Sequence, residues 1–277
     1  MYKVENNKII ITNTADFNTT HILECGQVFR FKKIADDTYI IFSLDKVAKI
    51  VTYQDFVEIE TTDVDYFINY FDLDTDYGKI KQDLSKFEIL KDPIKYGYGI
   101  RILKQDLFEM IISFIISANN NIKRIQGIIE KICEFCGTKI GDFYAFPTLE
   151  QLTKCTVQDF KSFGAGYRAE YLHKVCRQLQ EVDLEKIAKI PSCDARKMLC
   201  SLIGVGPKVA DCILLFGLNR QDVFPVDTWI MKVYTDMYGG TLTNRQQIAN
   251  YLVNYFGSNM SGYAQQYLFY SKRENKN

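Results

Sequence analysis

The chain has 277 residues, 47% of them hydrophobic and 25% charged, with 34 basic side chains balanced by 34 acidic ones. This composition excludes a disordered or fibrous chain, and the length allows two ordinary domains. The strongest apolar run, Met110 to Ala118, is too short to cross a bilayer. The opening segment, MYKVENNKII, has no signal-peptide core, so a cytoplasmic protein is expected, nucleoid-associated if the source is prokaryotic. Eight irregularly spaced cysteines fit reduced thiols in that compartment. The zero net charge hides an asymmetry: residues 1–92 carry 11 basic and 17 acidic side chains, residues 93–277 carry 23 and 17. A basic second part hints at a polyanionic partner, although solvated helix faces also produce such a bias.

In chain order, Lys8–Thr12, Val28–Phe31, Thr38–Phe42 and Ala48–Val51 are short, rich in β-branched or aromatic residues and separated by polar clusters, which predicts an antiparallel sheet. Over residues 63–88, Tyr66, Phe67, Tyr70 and Phe71 follow helical spacing. Asp92-Pro93 marks a boundary, because proline disfavours helix in the residue before it and suits a helix start. Beyond it, helices are predicted over 104–118, 121–136, 148–154, 168–181, 191–202, 207–217, 228–238, 244–256 and 261–273, broken by glycine and proline. The expected class is α+β: an antiparallel sheet domain over 1–92, then a larger all-helical domain over 93–277.

Within the second part, the segment from Leu199 to Ala210 predicts two helices joined by a tight turn, a hairpin spanning about 191–217. Gly204 and Gly206 flank Val205, and Pro207 opens the second helix. Paired glycines allow close approach of another molecule, and the free N–H groups of the helix start suit a phosphate oxygen. This resembles a helix-hairpin-helix, a module that grips DNA backbone without reading bases; the plainer alternative is a packing joint. Lys208 stands in the first turn of the second helix, where the dipole and burial disfavour its ammonium and favour a nucleophilic amine. Asp227, nineteen residues on, sits at a helix N-cap position. Taken singly, these two read as a phosphate-facing lysine and a capping aspartate; flanking one hairpin, they read as a nucleophile and its carboxylate.

The sequence resembles the helix-hairpin-helix DNA glycosylases with a Gly/Pro…Asp signature, and within them the 8-oxoguanine DNA glycosylase/lyases of eukaryotic type. The likeness runs from about Leu23 to Arg273 and rests on several segments: Cys25-Gly26-Gln27-Val28-Phe29-Arg30-Phe31, Ser117 to Ile125, Gly166-Tyr167-Arg168-Ala169, Gly204 to Cys212, Pro225-Val226-Asp227, and Gly262-Tyr263-Ala264-Gln265 with Leu268-Phe269.

The resemblance implies that Lys208 attacks the sugar C1′ of the damaged nucleotide, that a Schiff base forms, and that β-elimination cuts the strand. Asp227 would stabilise positive charge developing on the sugar. The flipped base would lie between Cys212 and Phe269, with Gln265 on its Watson–Crick edge and Pro225 alongside. Cys212 lies four residues beyond Lys208, on the same helix face. The carbonyl of Gly26 would accept the N7–H that 8-oxoguanine has and guanine lacks. Asn119, Arg124 and Arg168 would meet the orphan cytosine and Tyr167 would wedge into the stack. Gly204, Gly206, Val209 and Trp229 would contact the DNA backbone. Trp229 departs from the family, which has a histidine there, so its phosphate contact is in question.

No cysteine follows Cys212, so the iron–sulfur cluster of some glycosylases is not expected, and no cofactor is. Cys133 and Cys136 form a lone C-x-x-C without the second pair of a zinc site. The resemblance also allows a structural monovalent or calcium ion on the carbonyls of Cys200, Leu202 and Val205, with no part in the chemistry. The expected partner is duplex DNA with 8-oxoguanine opposite cytosine, bound by a monomer, with no membrane partner. Two rival readings stand beside this one. One is a monofunctional glycosylase for other damaged bases, a class that lacks the lysine. The other is a non-enzymatic DNA-binding protein, which would need neither Lys208 nor Asp227.

Overall fold

In a computed structural model, residues 2–274 are described. Six strands, β1 (Tyr2–Glu5), β2 (Lys8–Ile11), β3 (Phe31–Ala35), β4 (Thr38–Ser43), β5 (Lys46–Thr52) and β6 (Val57–Glu60), form one antiparallel sheet in the order β1-β2-β6-β5-β4-β3. Register aligns Ile9 with Ile59, Ile59 with Ile50 and Ile50 with Tyr39, so one buried apolar row crosses four strands. Helix α1 (Thr19–Leu23) and helix α2 (Val64–Tyr70) contribute Ile22, Leu23, Phe67 and Tyr70 to the same core.

The remaining helices are α3 (Tyr77–Leu84), α4 (Lys91–Tyr96), α5 (Leu107–Ser117), α6 (Ile122–Cys136), α7 (Leu149–Thr153), α8 (Val157–Ser162), α9 (Arg168–Gln178), α10 (Leu184–Lys189), α11 (Ser192–Cys200), α12 (Pro207–Gly217), α13 (Thr228–Tyr238), α14 (Arg245–Phe256) and α15 (Ser261–Glu274). They share a second, larger core centred on the apolar α5 and α12.

The structure differs from expectation in four places. Val28 to Arg30 is not a strand; the strand starts at Phe31. The segment threads between the two cores, Val28 entering the sheet core and Phe29 the helical one, so its apolar alternation serves two layers rather than one sheet face. The helical stretch over 63–88 is split, because Asp72 adopts a left-handed φ of 53° and Asp76 caps α3 by accepting from the Lys79 N–H. Pro93 falls within α4 rather than at its start. Helices α3 and α4 place Tyr77, Leu84 and Ile94 in the helical core. The second part is largely helical rather than all-helical, since β7 (Lys139–Ile140) and β8 (Phe143–Tyr144) pair around Gly141, whose φ is +57°.

Candidate active site

The hairpin is the scaffold of the site. Leu199, Leu202 and Val205 are buried, and the turn closes through the Val205 N–H to the Leu202 carbonyl (3.1 Å). Gly204 has φ +89°, and a Cβ there would lie 3.0 Å from Tyr171 Cβ, so both torsion and space require glycine. The Ile203 N–H donates to Gln178 Oε1 (2.8 Å), tying the turn to α9. Gly206, exposed and with open space around it, is the N-cap of α12 and makes no side-chain cap. The first N–H groups of α12 are left for solvent or an anion. Val209 is buried, so a DNA contact there would fall to its backbone N–H. The Leu202 carbonyl proposed for a structural ion already accepts the turn hydrogen bond.

Lys208 points the other way, into a pocket lined by Gly26, Phe114, Lys208, Cys212, Phe216, Pro225, Asp227, Gln265, Gln266 and Phe269. Seven of these were expected from sequence. They arrive from five places: the loop after α1, α12, the segment before α13, the Asp227 cap and α15. Phe114, Phe216 and Gln266 were not anticipated. The two phenylalanines stack at 5.6 Å and sit inside apolar helices that read as core, and Lys208 Nζ lies 5.8 Å from the Phe114 ring centre. For Gln266 the available signal was its position beside Gln265, among the apolar and aromatic Tyr263, Ala264, Tyr267 and Leu268.

Asp227 does two things at once. Its Oδ1 accepts from the Trp229 and Ile230 N–H groups (3.0 and 2.9 Å), capping α13. Its carboxylate also lines the pocket and acts electrostatically on Lys208. Burial pulls the Lys208 pKa down, but Cys212 and Asp227 push it up, and the balance lies above the ordinary lysine value. This direction runs against the helix-start argument, which favours the neutral amine. Cys212 can attract the ammonium only as a thiolate, and burial pushes its thiol up.

Gln265 is buried, its Nε2 donating to the Pro225 carbonyl (3.3 Å). Its Oε1 has no partner among the described residues, leaving an acceptor in the pocket. Gly26 has φ +89°, and a Cβ on it would lie 3.3 Å from Phe269 Cε1.

The second cluster gathers at the N-terminus of α9. Asn119 is exposed with a left-handed φ of 52°. Tyr167 is exposed and bonds the Ala118 carbonyl (3.2 Å), and exposed Arg124 bonds the Gly164 carbonyl (3.0 Å). Arg168 is buried, with its guanidinium committed to the carbonyls of Ala118, Asn119 and Ala165. In this state it braces the Asn119 turn, and an orphan base would have to compete with three carbonyls for it. Trp229 is half-buried, with the Lys232 amine 4.8 Å from its ring centre. Among the described residues no group of three or more His, Cys, Asp or Glu side chains is arranged to hold a metal. No helix among them is long and apolar enough to cross a membrane.

The chain matches two family models: "8-oxoguanine DNA glycosylase, N-terminal domain" over residues 9–111 and "HhH-GPD superfamily base excision DNA repair protein" over residues 112–256. It is 32% identical over 225 residues to the N-glycosylase/DNA lyase of Arabidopsis thaliana, covering 73% of this chain and 60% of the relative. It is 36% identical over 196 residues to a probable N-glycosylase/DNA lyase of Methanothermobacter thermautotrophicus, covering 62% of each chain. The chain thus spans less than two thirds of the length of these two relatives. Among solved structures, the Clostridium acetobutylicum 8-oxoguanine glycosylase/lyase, in complex with double-stranded DNA containing cytosine opposite the lesion, superposes with a TM-score of 0.94. That match has 38% identity and covers 100% of this chain and 99% of the other.

Proposed function

Because this chain belongs to the HhH-GPD superfamily of base excision DNA repair proteins, in the branch with an 8-oxoguanine DNA glycosylase N-terminal domain, we propose that it is a bifunctional 8-oxoguanine DNA glycosylase/AP lyase acting on duplex DNA with cytosine opposite the lesion. The observation that carries this reading is the convergence of Lys208, Asp227 and Cys212 with Gly26, Gln265 and Phe269 around one pocket.

The hairpin and the Asn119–Tyr167 edge hold the duplex while the damaged nucleotide turns out of the stack. Phe269 and Cys212 flank the base. The unpaired Gln265 Oε1 accepts from the N–H groups on the Watson–Crick edge of a guanine-type base. The Gly26 carbonyl accepts the N7–H of 8-oxoguanine; guanine presents a lone pair there, and an unmade buried hydrogen bond costs about 1–3 kcal/mol.

The Lys208 amine must lose its proton before it attacks. Its lone pair forms the bond to C1′ while the C1′–N9 pair leaves with the base, which takes up a proton. Asp227 stabilises the positive sugar in the transition state. Loss of a proton from nitrogen and opening of the ring give a protonated imine. The imine acidifies C2′; a proton leaves C2′, the C3′–O3′ bond breaks, and water later hydrolyses the imine to free Lys208. Phe114 and Phe216 exclude water from the amine.

Borohydride reduction during turnover of an 8-oxoguanine·cytosine duplex tests the whole reading. A covalent protein–DNA adduct is expected from the wild type and none from Lys208→Gln, which keeps duplex binding. Base release without any trapped adduct would favour a monofunctional glycosylase, and no base release would leave only DNA binding.

A further inference from the structure

The loop from Glu24 to Gln27 carries four successive carbonyls, and three are held by side chains. The Glu24 carbonyl accepts from Arg273 Nη2 (2.5 Å), the Cys25 carbonyl from Gln266 Nε2 (3.1 Å) and the Gln27 carbonyl from Gln105 Nε2 (2.9 Å). Among the described residues no donor bonds the Gly26 carbonyl. Gln266 and Arg273 are seven residues apart on α15, so they share one face, with Phe269 between them. Arg273 also packs over the Phe269 ring at 5.4 Å. Its Nη1 is buried without a partner among the described residues, 2.7 Å from where a Cβ on Gly26 would stand. Gln266 is almost wholly buried, so its amide is committed to this bond.

We infer that Gln266 and Arg273 are positioning residues for lesion discrimination: together they pin the two peptide units before Gly26 and hold its carbonyl, the one acceptor left free, toward the base pocket. This rests on the reading in which that carbonyl receives the N7–H of the lesion. The physical reason for a clamp is that glycine permits either orientation of its peptide unit. An unpinned loop can turn the carbonyl aside and offer an N–H, which suits the N7 lone pair of undamaged guanine. Discrimination therefore needs the loop held from a rigid element, and α15 holds the loop and the Phe269 ring from the same face.

The test compares two reactions of the same protein under single-turnover conditions. One is excision of 8-oxoguanine, where a base fills the pocket; the other is strand cleavage at a preformed abasic site, where none does. Arg273→Met and Gln266→Met are each expected to slow excision about tenfold, the equivalent of one hydrogen bond, and to leave abasic-site cleavage within about twofold. Competition by an undamaged guanine duplex should become stronger. Arg273→Lys, which keeps one donor for the Glu24 carbonyl, should recover most of the excision rate. Unchanged excision in both Met variants, or excision and abasic-site cleavage falling in parallel, overturns the clamp while the glycosylase/lyase assignment stands. A wild-type protein that releases no 8-oxoguanine overturns that assignment, and the clamp with it.

Discussion

At Asp227 one carboxylate serves both the α13 cap and the pocket, and the two duties separate by substitution. Asparagine keeps an oxygen able to accept from the Trp229 and Ile230 N–H groups and is as good an N-cap as aspartate. It lacks the charge that stabilises a cationic sugar. Asp227→Asn is therefore expected to slow base excision on the order of a hundredfold with little change in melting temperature and with lesion binding kept; single-turnover kinetics beside a thermal melt check this. The sequence made Asp227 and Lys208 visible because a Pro-Val-Asp and a Gly-x-Gly-Pro-Lys stand in register with one hairpin. The helix start favours a neutral Lys208, whereas Cys212 and Asp227, which meet it through the fold, push its pKa up. The sequence also offered Arg168 to DNA, where the structure commits its donors to three carbonyls.

Between elements, the hairpin helices are held by an ion pair that no local pattern announces. Arg196 Nε on α11 donates to Asp211 Oδ1 on α12 (2.5 Å), and Asp211 is buried. Burial pushes the Asp211 carboxyl up to about 6 despite the guanidinium. Arg196→Met leaves that carboxylate unpaired, with an expected cost of about 3 kcal/mol at pH 8. At pH 5 the carboxyl is protonated in the folded state and no longer needs a counter-charge. The loss read by urea unfolding should therefore be smaller at pH 5; an equal loss at both pH values would assign the cost to packing alone. Long helices such as α6, α12 and α13 were legible because apolar period, caps and glycine or proline stops agreed. The short α1, α8 and α10 were not, because five or six residues carry too little periodicity and, unlike α7 after Pro147, no proline marks their starts.

Across the whole molecule, His21 lies at the seam between the two cores. Its ring packs edge-on to Tyr98 (4.8 Å between centres) and against Tyr270 of α15 (5.6 Å), and its Nδ1 faces the Gly99 N–H (3.4 Å). Burial lowers its pKa to about 4. The unfolded chain takes up this proton near pH 6.5, the folded protein only near 4. The His21 contribution to stability is therefore complete above pH 6.5 and disappears as pH falls toward 4. Asp211, raised to about 6, acts with the opposite sign, its contribution falling as pH rises from about 4 to 6. A wild-type melt alone mixes the two. The difference between wild type and His21→Gln isolates the first, and it should shrink steadily on acidification from pH 7 to 4.5.

The sequence by itself determined the α+β order and the hairpin, and it pointed to Lys208, Asp227, Cys212 and Phe269, which line one pocket, because each stands in a contiguous motif or a single helical repeat. Only the tertiary structure decided the groups that act on the Lys208 amine, the carbonyl partners of Arg168, and the side-chain hold on Glu24, Cys25 and Gln27. Electrostatic fields and buried hydrogen bonds depend on distances across the chain. Gln266 and the Cys25 carbonyl are 241 residues apart in sequence and 3.1 Å apart in space, a separation that no periodicity encodes.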